Sequence, residues 1–190
     1  IHVYDLDSEE KTEVETGDVD NSYLPRMKWT KDPNKLAFQK MNRHQNHLRL
    51  FFADAGTGKS ELIYEEENDT YINVDKDLTF LEGNRFLWTS EKDGFQHLYL
   101  IDNNGNEIRQ ITDGSWPVTE FLGYDAANEQ VYYQSAEASP MERHVYRIGL
   151  NGKRKEKLKD EAGTWEAEFS EDYSHYILTY TAANQPAMVS

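Results

Sequence analysis

The chain has 190 residues, with 35 Asp and Glu against 20 Lys and Arg, a formal net charge of -15. That balance excludes a nucleic-acid binder, because holding phosphates takes clustered Lys and Arg. Cysteine is absent, which removes disulfides, thiolate chemistry and Cys-based zinc sites, and no apolar run approaches the roughly 18–20 residues that a helix needs to cross a bilayer.

The length suits one domain, and the 12 Tyr, 8 Phe and 4 Trp favour strands, since aromatic side chains fit a pleated, half-buried surface. Taken in chain order, the first predicted element is His2-Val3-Tyr4, which runs into a turn at Asp7-Ser8 and a return strand ending by residue 15. Four strands follow in residues 27–66: Met27–Trp29, Asn34–Phe38, His47–Phe51 and Ser60–Tyr64, the last pair joined by Gly56-Thr57-Gly58-Lys59. Residues 78–112 repeat the pattern with Leu78–Leu81, Asn84–Trp88, His97–Ile101 and Glu107–Thr112 around the turn Asn103–Asn106. Residues 118–159 repeat it again, with Val118–Leu122, Asn128–Tyr133, His144–Ile148 and a turn at Asn151-Gly152-Lys153. Two further strands are expected in 165–182, with Pro186 to Ser190 standing where a third would begin.

His2, His47, His97 and His144 mark the period, at spacings of 45, 50 and 47 residues. A strand, a Gly/Asn turn and a strand make a hairpin, and four short strands per repeat of this length are the mark of a propeller blade. The expected fold is therefore all-β, a partial β-propeller over 1–190 with about four blades' worth of four-stranded antiparallel sheet. In that scheme 1–15 supplies the last two strands of one blade, 27–66, 78–112 and 118–159 are complete blades, and 165–190 starts another. A sandwich or other all-β array is the alternative. The chain opens in mid-element at Ile1-His2-Val3, so it reads as a piece of something longer. Unclosed blades expose strand edges, which predicts that the ends pair with each other or that a second copy forms a homo-oligomer.

Some stretches imitate chemistry. Ala53-Asp54-Ala55-Gly56-Thr57-Gly58-Lys59-Ser60 resembles a phosphate-binding loop, but that device needs a helix after the glycines, whereas Glu61-Leu62-Ile63-Tyr64 reads as strand. His44 and His47 have a zinc-like spacing, yet residues three apart on a strand face opposite ways. The once-per-blade histidines read instead as structural hydrogen bonders between strands. Ser90, Asp93 and His97 crowd one turn and lack the elbow and oxyanion hole that a triad needs. No catalytic, cofactor-binding or metal-binding residue is assigned. The acidic stretches Asp5–Asp20 and Glu65–Asp77 read as solvated loops, or as the mouth of a channel that attracts a cationic peptide terminus.

The run Glu82-Gly83-Asn84-Arg85-Phe86, then Trp88-Thr89-Ser90-Glu91-Lys92-Asp93-Gly94-Phe95-Gln96-His97-Leu98-Tyr99, resembles the propeller of the dipeptidyl peptidase IV family, in the prolyl oligopeptidase clan of serine peptidases. Ile111-Thr112-Asp113-Gly114-Ser115-Trp116-Pro117-Val118 is similar to that family's next blade junction, and Ala162-Gly163-Thr164-Trp165 echoes it. The resemblance implies a parent with an eight-bladed N-terminal propeller and a C-terminal α/β-hydrolase domain that removes X-Pro or X-Ala dipeptides. It also implies a periplasmic or secreted location. The parent's nucleophile would sit in Gly-x-Ser-x-Gly, which this sequence lacks. The family's amine-binding Glu pair follows an Asp-Trp-x-Tyr context. Glu9-Glu10 and Glu65-Glu66-Glu67 lack that context, and the role is not carried onto them. The expected function is thus a non-catalytic propeller that gates peptide access and aids assembly. The alternative is a non-enzymatic propeller that binds protein or glycan partners.

Overall fold

The computed structural model describes residues 1–74 and 76–189. They form two compact units, one of Ile1–Phe86 with Ile101–Asn106, the other of Leu87–Leu100 with Glu107 onward.

The first unit opens with a hairpin of β1 (His2–Tyr4) and β2 (Lys11–Glu13), paired His2↔Glu13 and Tyr4↔Lys11. Its turn is held by Asp5, whose Oδ1 accepts from the N–H groups of Asp7 and Ser8 at 3.0 and 2.8 Å. There follow β3 (Ser22–Tyr23), β4 (Met27–Trp29), β5 (Lys35–Asn42), β6 (His47–Asp54) and β7 (Ser60–Glu67). They make one sheet ordered β3-β5-β6-β7, with β4 also on β5. The strand expected at Met27–Trp29 thus has a companion, β3, which pairs with the other end of β5 through Ser22↔Asn42. Pro25 lies between the two pieces, and a residue without an N–H cannot continue the ladder.

Burial falls off across this sheet. Central β5 is buried from Leu36 through Met41, β6 alternates, and β7 is mostly exposed. A strand covered on both faces reads as a near-continuous apolar run rather than an alternating one, as Leu36-Ala37-Phe38 does. The core gathers Val14, Leu36, Phe38 and Ala53, with Ile1, Val3, Leu24 and Phe51 against them. Phe38 and Phe51, opposite each other across β5 and β6, stack at 5.1 Å. A second aromatic group places Phe52, Phe80 and Phe86 edge to face at 5.7–6.3 Å.

The hairpin turns set how closely neighbouring strands approach. A methyl group on Gly58, in the β6–β7 turn, would stand 2.0 Å from the carbonyl oxygen of Glu13, at the end of β2. One on Gly105, in the corresponding turn of the next repeat, would stand 1.7 Å from the carbonyl oxygen of Ile63 on β7. The Gly/Asn turns of the repeat therefore serve two purposes, closing a hairpin and letting it lie against the preceding outer strand.

The next strands are β8 (Thr79–Phe80), then, after a 3-10 turn at Glu82–Asn84, β9 (Phe86–Ser90), β10 (His97–Ile101) and β11 (Glu107–Gln110), in a sheet ordered β11-β10-β9-β8. In the second unit β12 (Val118–Asp125), β13 (Gln130–Ser135), β14 (His144–Gly149) and β15 (Glu156–Lys157) form a four-stranded sheet in sequence order. β16 (Thr164–Phe169), β17 (Tyr176–Ala182) and β18 (Gln185–Val189) follow as a three-stranded one. Val145, Trp165 and Leu178 form a buried cluster of this unit. β18 is a strand where the sequence suggests only the approach to one. It pairs Thr179↔Val189 and Tyr180↔Met188, and its exposed face explains why apolar patterning misses it. Pro186 is tolerated because no further strand of the described residues hydrogen-bonds to β18. Ser190 lies outside the described residues.

Candidate functional site

The imitations of chemistry resolve into structure. Asp54 ends β6, and its Oδ1 accepts from the N–H of Thr57 at 2.7 Å and the hydroxyl of Thr57 at 2.8 Å. The Gly-Thr-Gly-Lys run is the turn that these bonds brace, with β7 rather than a helix after it. The same bonds hold the Asp54 carboxyl below its usual range, the Thr57 hydroxyl first and its N–H second. Ser90 Oγ accepts from the N–H of Lys92 at 3.0 Å, and Asp93 Oδ2 accepts from Gln110 Nε2 at 2.5 Å. His97 turns to neither. Its Nδ1 lies 3.1 Å from the Thr112 hydroxyl, and its Nε2 is 3.0 Å from the Gly114 carbonyl oxygen.

The period histidines therefore differ from one another. His97 is fully buried and joins β10 to the segment after β11, with the Trp116 ring at 5.1 Å. Trp116 stacks on Tyr133, which stacks on Tyr146 at 5.5 Å. His144 bonds Glu142, two residues before it, at 2.7 Å. His47 reaches across to β7, its Nε2 3.0 Å from Glu65 and its Nδ1 3.2 Å from Glu67. His44 lies in the β5–β6 turn. Structural bonding between strands thus accounts for His47, whereas His97 ties β10 to the segment after β11 and His144 bonds within its own segment.

The polar geometry that stands out lies in the first unit, on β5 and β6. Lys40 and Arg49 are directly opposite each other in the register, and opposed residues of an antiparallel pair share a face. Lys40 is only 6% exposed. Its ammonium donates to the Thr16 carbonyl oxygen at 2.7 Å. Its pKa is lowered, first by burial and second by the Arg49 charge, with Asp18 acting the other way. The Arg49 guanidinium is 5.9 Å from the centre of the Phe51 ring. These residues, with Glu15 and Asp18, line a cleft of about 580 Å³. A second cleft, of about 480 Å³, lies over His47, Glu67 and Asp69.

The acidic stretches contribute to both clefts, Glu15 and Asp18 to the first and Glu67 and Asp69 to the second. Within Glu65–Asp77, Asp75 lies outside the described residues. The pairing of Lys40 with Arg49 depends on register and escapes motif reading. The available signal is Gln39-Lys40, two polar residues inside the apolar run from Leu36 to Met41.

Repeated antiparallel sheets of short strands, joined by tight hairpins and with their central strands buried on both faces, define a β-propeller region. Residues 1–187 match the family model described as the dipeptidyl peptidase IV (DPP IV) N-terminal region. The chain belongs to that family. Its structure is similar to the crystal structure of Porphyromonas gingivalis dipeptidyl peptidase 4, with a TM-score of 0.92 and 38% identity over all of this chain and 27% of that one. Among curated relatives it is 27% identical to a probable dipeptidyl peptidase 4 of Aspergillus flavus, across 95% of this chain and 24% of the relative. It is 26% identical to the inactive dipeptidyl peptidase 10 of Mus musculus, across 82% of this chain and 22% of that one. The chain thus spans about a quarter of the length of these relatives.

Proposed function

We propose that this chain is the non-catalytic propeller portion of a serine exopeptidase that removes X-Pro and X-Ala dipeptides from peptide N-termini. The observation that carries the reading is the family match over residues 1–187. The chain's own text agrees with it, because a nucleophile elbow of the form Gly-x-Ser-x-Gly is missing from the sequence. In this reading catalysis belongs to an α/β-hydrolase domain, and the propeller limits which peptides reach it. Size exclusion needs only a passage too narrow for a folded substrate.

The blade scheme of the sequence belongs to the same proposal, with 27–66, 78–112 and 118–159 as whole blades. Exposed strand edges such as β18 then serve assembly, either with neighbouring blades or with a second copy. The acidic stretches draw in the cationic amine of a peptide, since fields of this kind steer charged ligands. A periplasmic or secreted location fits the absence of cysteine as well as any other and rests on the family.

The test uses the full-length protein with Gly-Pro-p-nitroanilide, with short peptides, and with folded proteins that share their N-termini. Turnover of the first two but not the third is expected, with a serine-directed inhibitor abolishing it. Raising ionic strength should lower kcat/KM for the peptides. Failure to release any dipeptide would favour a second reading, a non-enzymatic propeller that binds protein or glycan partners. One observation supports that alternative: the similar mouse protein is named inactive.

A further inference from the structure

We infer that the cleft over Lys40 and Arg49 in the first unit is a binding site for a monocarboxylate with a small apolar body. Like charges placed directly opposite on adjacent strands repel, so a pair of cations at positions 40 and 49 costs stability unless an anion offsets it. The protein offsets it only in part. Lys40 spends a hydrogen bond on a neutral acceptor, the Thr16 carbonyl oxygen at 2.7 Å. Glu65 stands opposite Arg49 in the β6–β7 register, but its carboxylate bonds His47 instead. Arg49 Nε is buried and finds no hydrogen-bond partner among the described residues. A buried donor left unpaired is destabilising.

The chemistry of the cleft selects the anion. A planar guanidinium fork matches a carboxylate in a bidentate fashion. Phe51, under Arg49, offers an apolar floor. Glu15 and Asp18 line the same cleft, so an ion of higher charge such as phosphate meets repulsion that a monoanion meets less. The volume of about 580 Å³ admits a ligand larger than acetate. The carboxylate can come from a free organic acid or from the C-terminus of a short peptide.

Calorimetric titration of the purified protein with benzoate, inorganic phosphate, the dipeptide Ala-Phe and its C-terminal amide tests this. Saturable benzoate binding is expected, weakened at least tenfold by Arg49→Gln and severalfold by Arg49→Lys. Ala-Phe binding better than benzoate assigns the site to peptide termini, and the reverse order assigns it to organic acids. In either case the amide should lose at least tenfold. Should the Arg49 variants misfold, Asp18→Asn, on the cleft wall, still decides. It should tighten benzoate about threefold and let phosphate bind. Phosphate binding tighter than benzoate in the parent protein, amide and acid binding alike, or benzoate indifferent to both Arg49→Gln and Asp18→Asn would each overturn the inference.

Discussion

Gly105 and Ile63 meet backbone to backbone: a methyl group on the glycine would stand 1.7 Å from the Ile63 carbonyl oxygen. Gly105 also has a φ of 83°, in the left-handed region that side chains with a Cβ avoid. Gly105→Ala therefore combines a steric collision with backbone strain, and the colliding atom is a carbonyl that cannot swing aside. The expected loss is about 2–4 kcal/mol. Asn104→Ala, at an exposed position of the same turn, should cost under about 0.5 kcal/mol. Urea denaturation midpoints of the two variants measure the contrast, and equal midpoints would contradict the close approach.

His97 and His47 occupy the same repeat position but differ in burial. His97→Ala removes a ring that is fully buried, bonded at both nitrogens and edge-on to Trp116. A loss of about 3 kcal/mol is expected from the cavity and the unpaired groups together. His47 bonds two carboxylates that are 54% and 72% exposed, and exposed ion pairs contribute little. His47→Ala should cost under about 1 kcal/mol. A thermal melt in which His47→Ala proves the more damaging would reverse this ranking.

Asp172 is a group through which a sensitivity to acid is expected. The hydroxyls of Ser170 and Ser174, in that order, and then the Ser174 N–H hold its carboxyl down at about 2. The hydroxyl contacts are both 2.7 Å. A depressed folded pKa means that the carboxylate's contribution is complete above the unfolded value near 4. That contribution is lost as pH falls from there through about 2. Asp172→Asn should therefore flatten stability against pH between about 4 and 2 while leaving the slope above pH 5 unchanged. Denaturant midpoints measured across that range check it, and an unaltered slope would count against the turn.

Tyr146 acts at the other end of the scale. Burial first, and the negative charge of Glu137 second, push its phenol up to about 12. A raised folded pKa leaves its contribution whole below the ordinary value of 10 and removes it as pH climbs towards about 12. Tyr146→Phe should soften the alkaline loss of stability over that interval. A variant whose stability falls as steeply as the parent's would show that the phenol is not a source of that loss.

Much of the architecture is legible because its causes are local. Turn chemistry at Gly56–Lys59, Asn103–Asn106 and Asn151–Lys153, set between short apolar runs, marks the hairpins, and the histidine period of 45–50 residues marks the repeat. The covered strands announce themselves as largely apolar runs, such as Leu36-Ala37-Phe38 in β5 and Leu98–Ile101 in β10. The sequence also marks Gly56–Lys59 as a hairpin turn, because a strand-like run, Ser60–Tyr64, follows it where β7 stands. β3 and β18 were harder: each is short or exposed, so neither carries the apolar signal of a buried strand.

Composition and short-range pattern thus determined by themselves that this chain folds into repeated antiparallel sheets of short strands. Only the tertiary structure decided which side chains meet. Lys40 faces Arg49, His47 takes Glu65 away from Arg49, and Gly105 lies on Ile63, each through a pairing between residues that the chain keeps apart. Register produces the first two encounters and a turn packed on a neighbouring strand the third, and a shift of one residue would turn every side chain of a strand to the other face. Such a choice is settled by packing over the whole sheet rather than by any local run of residues.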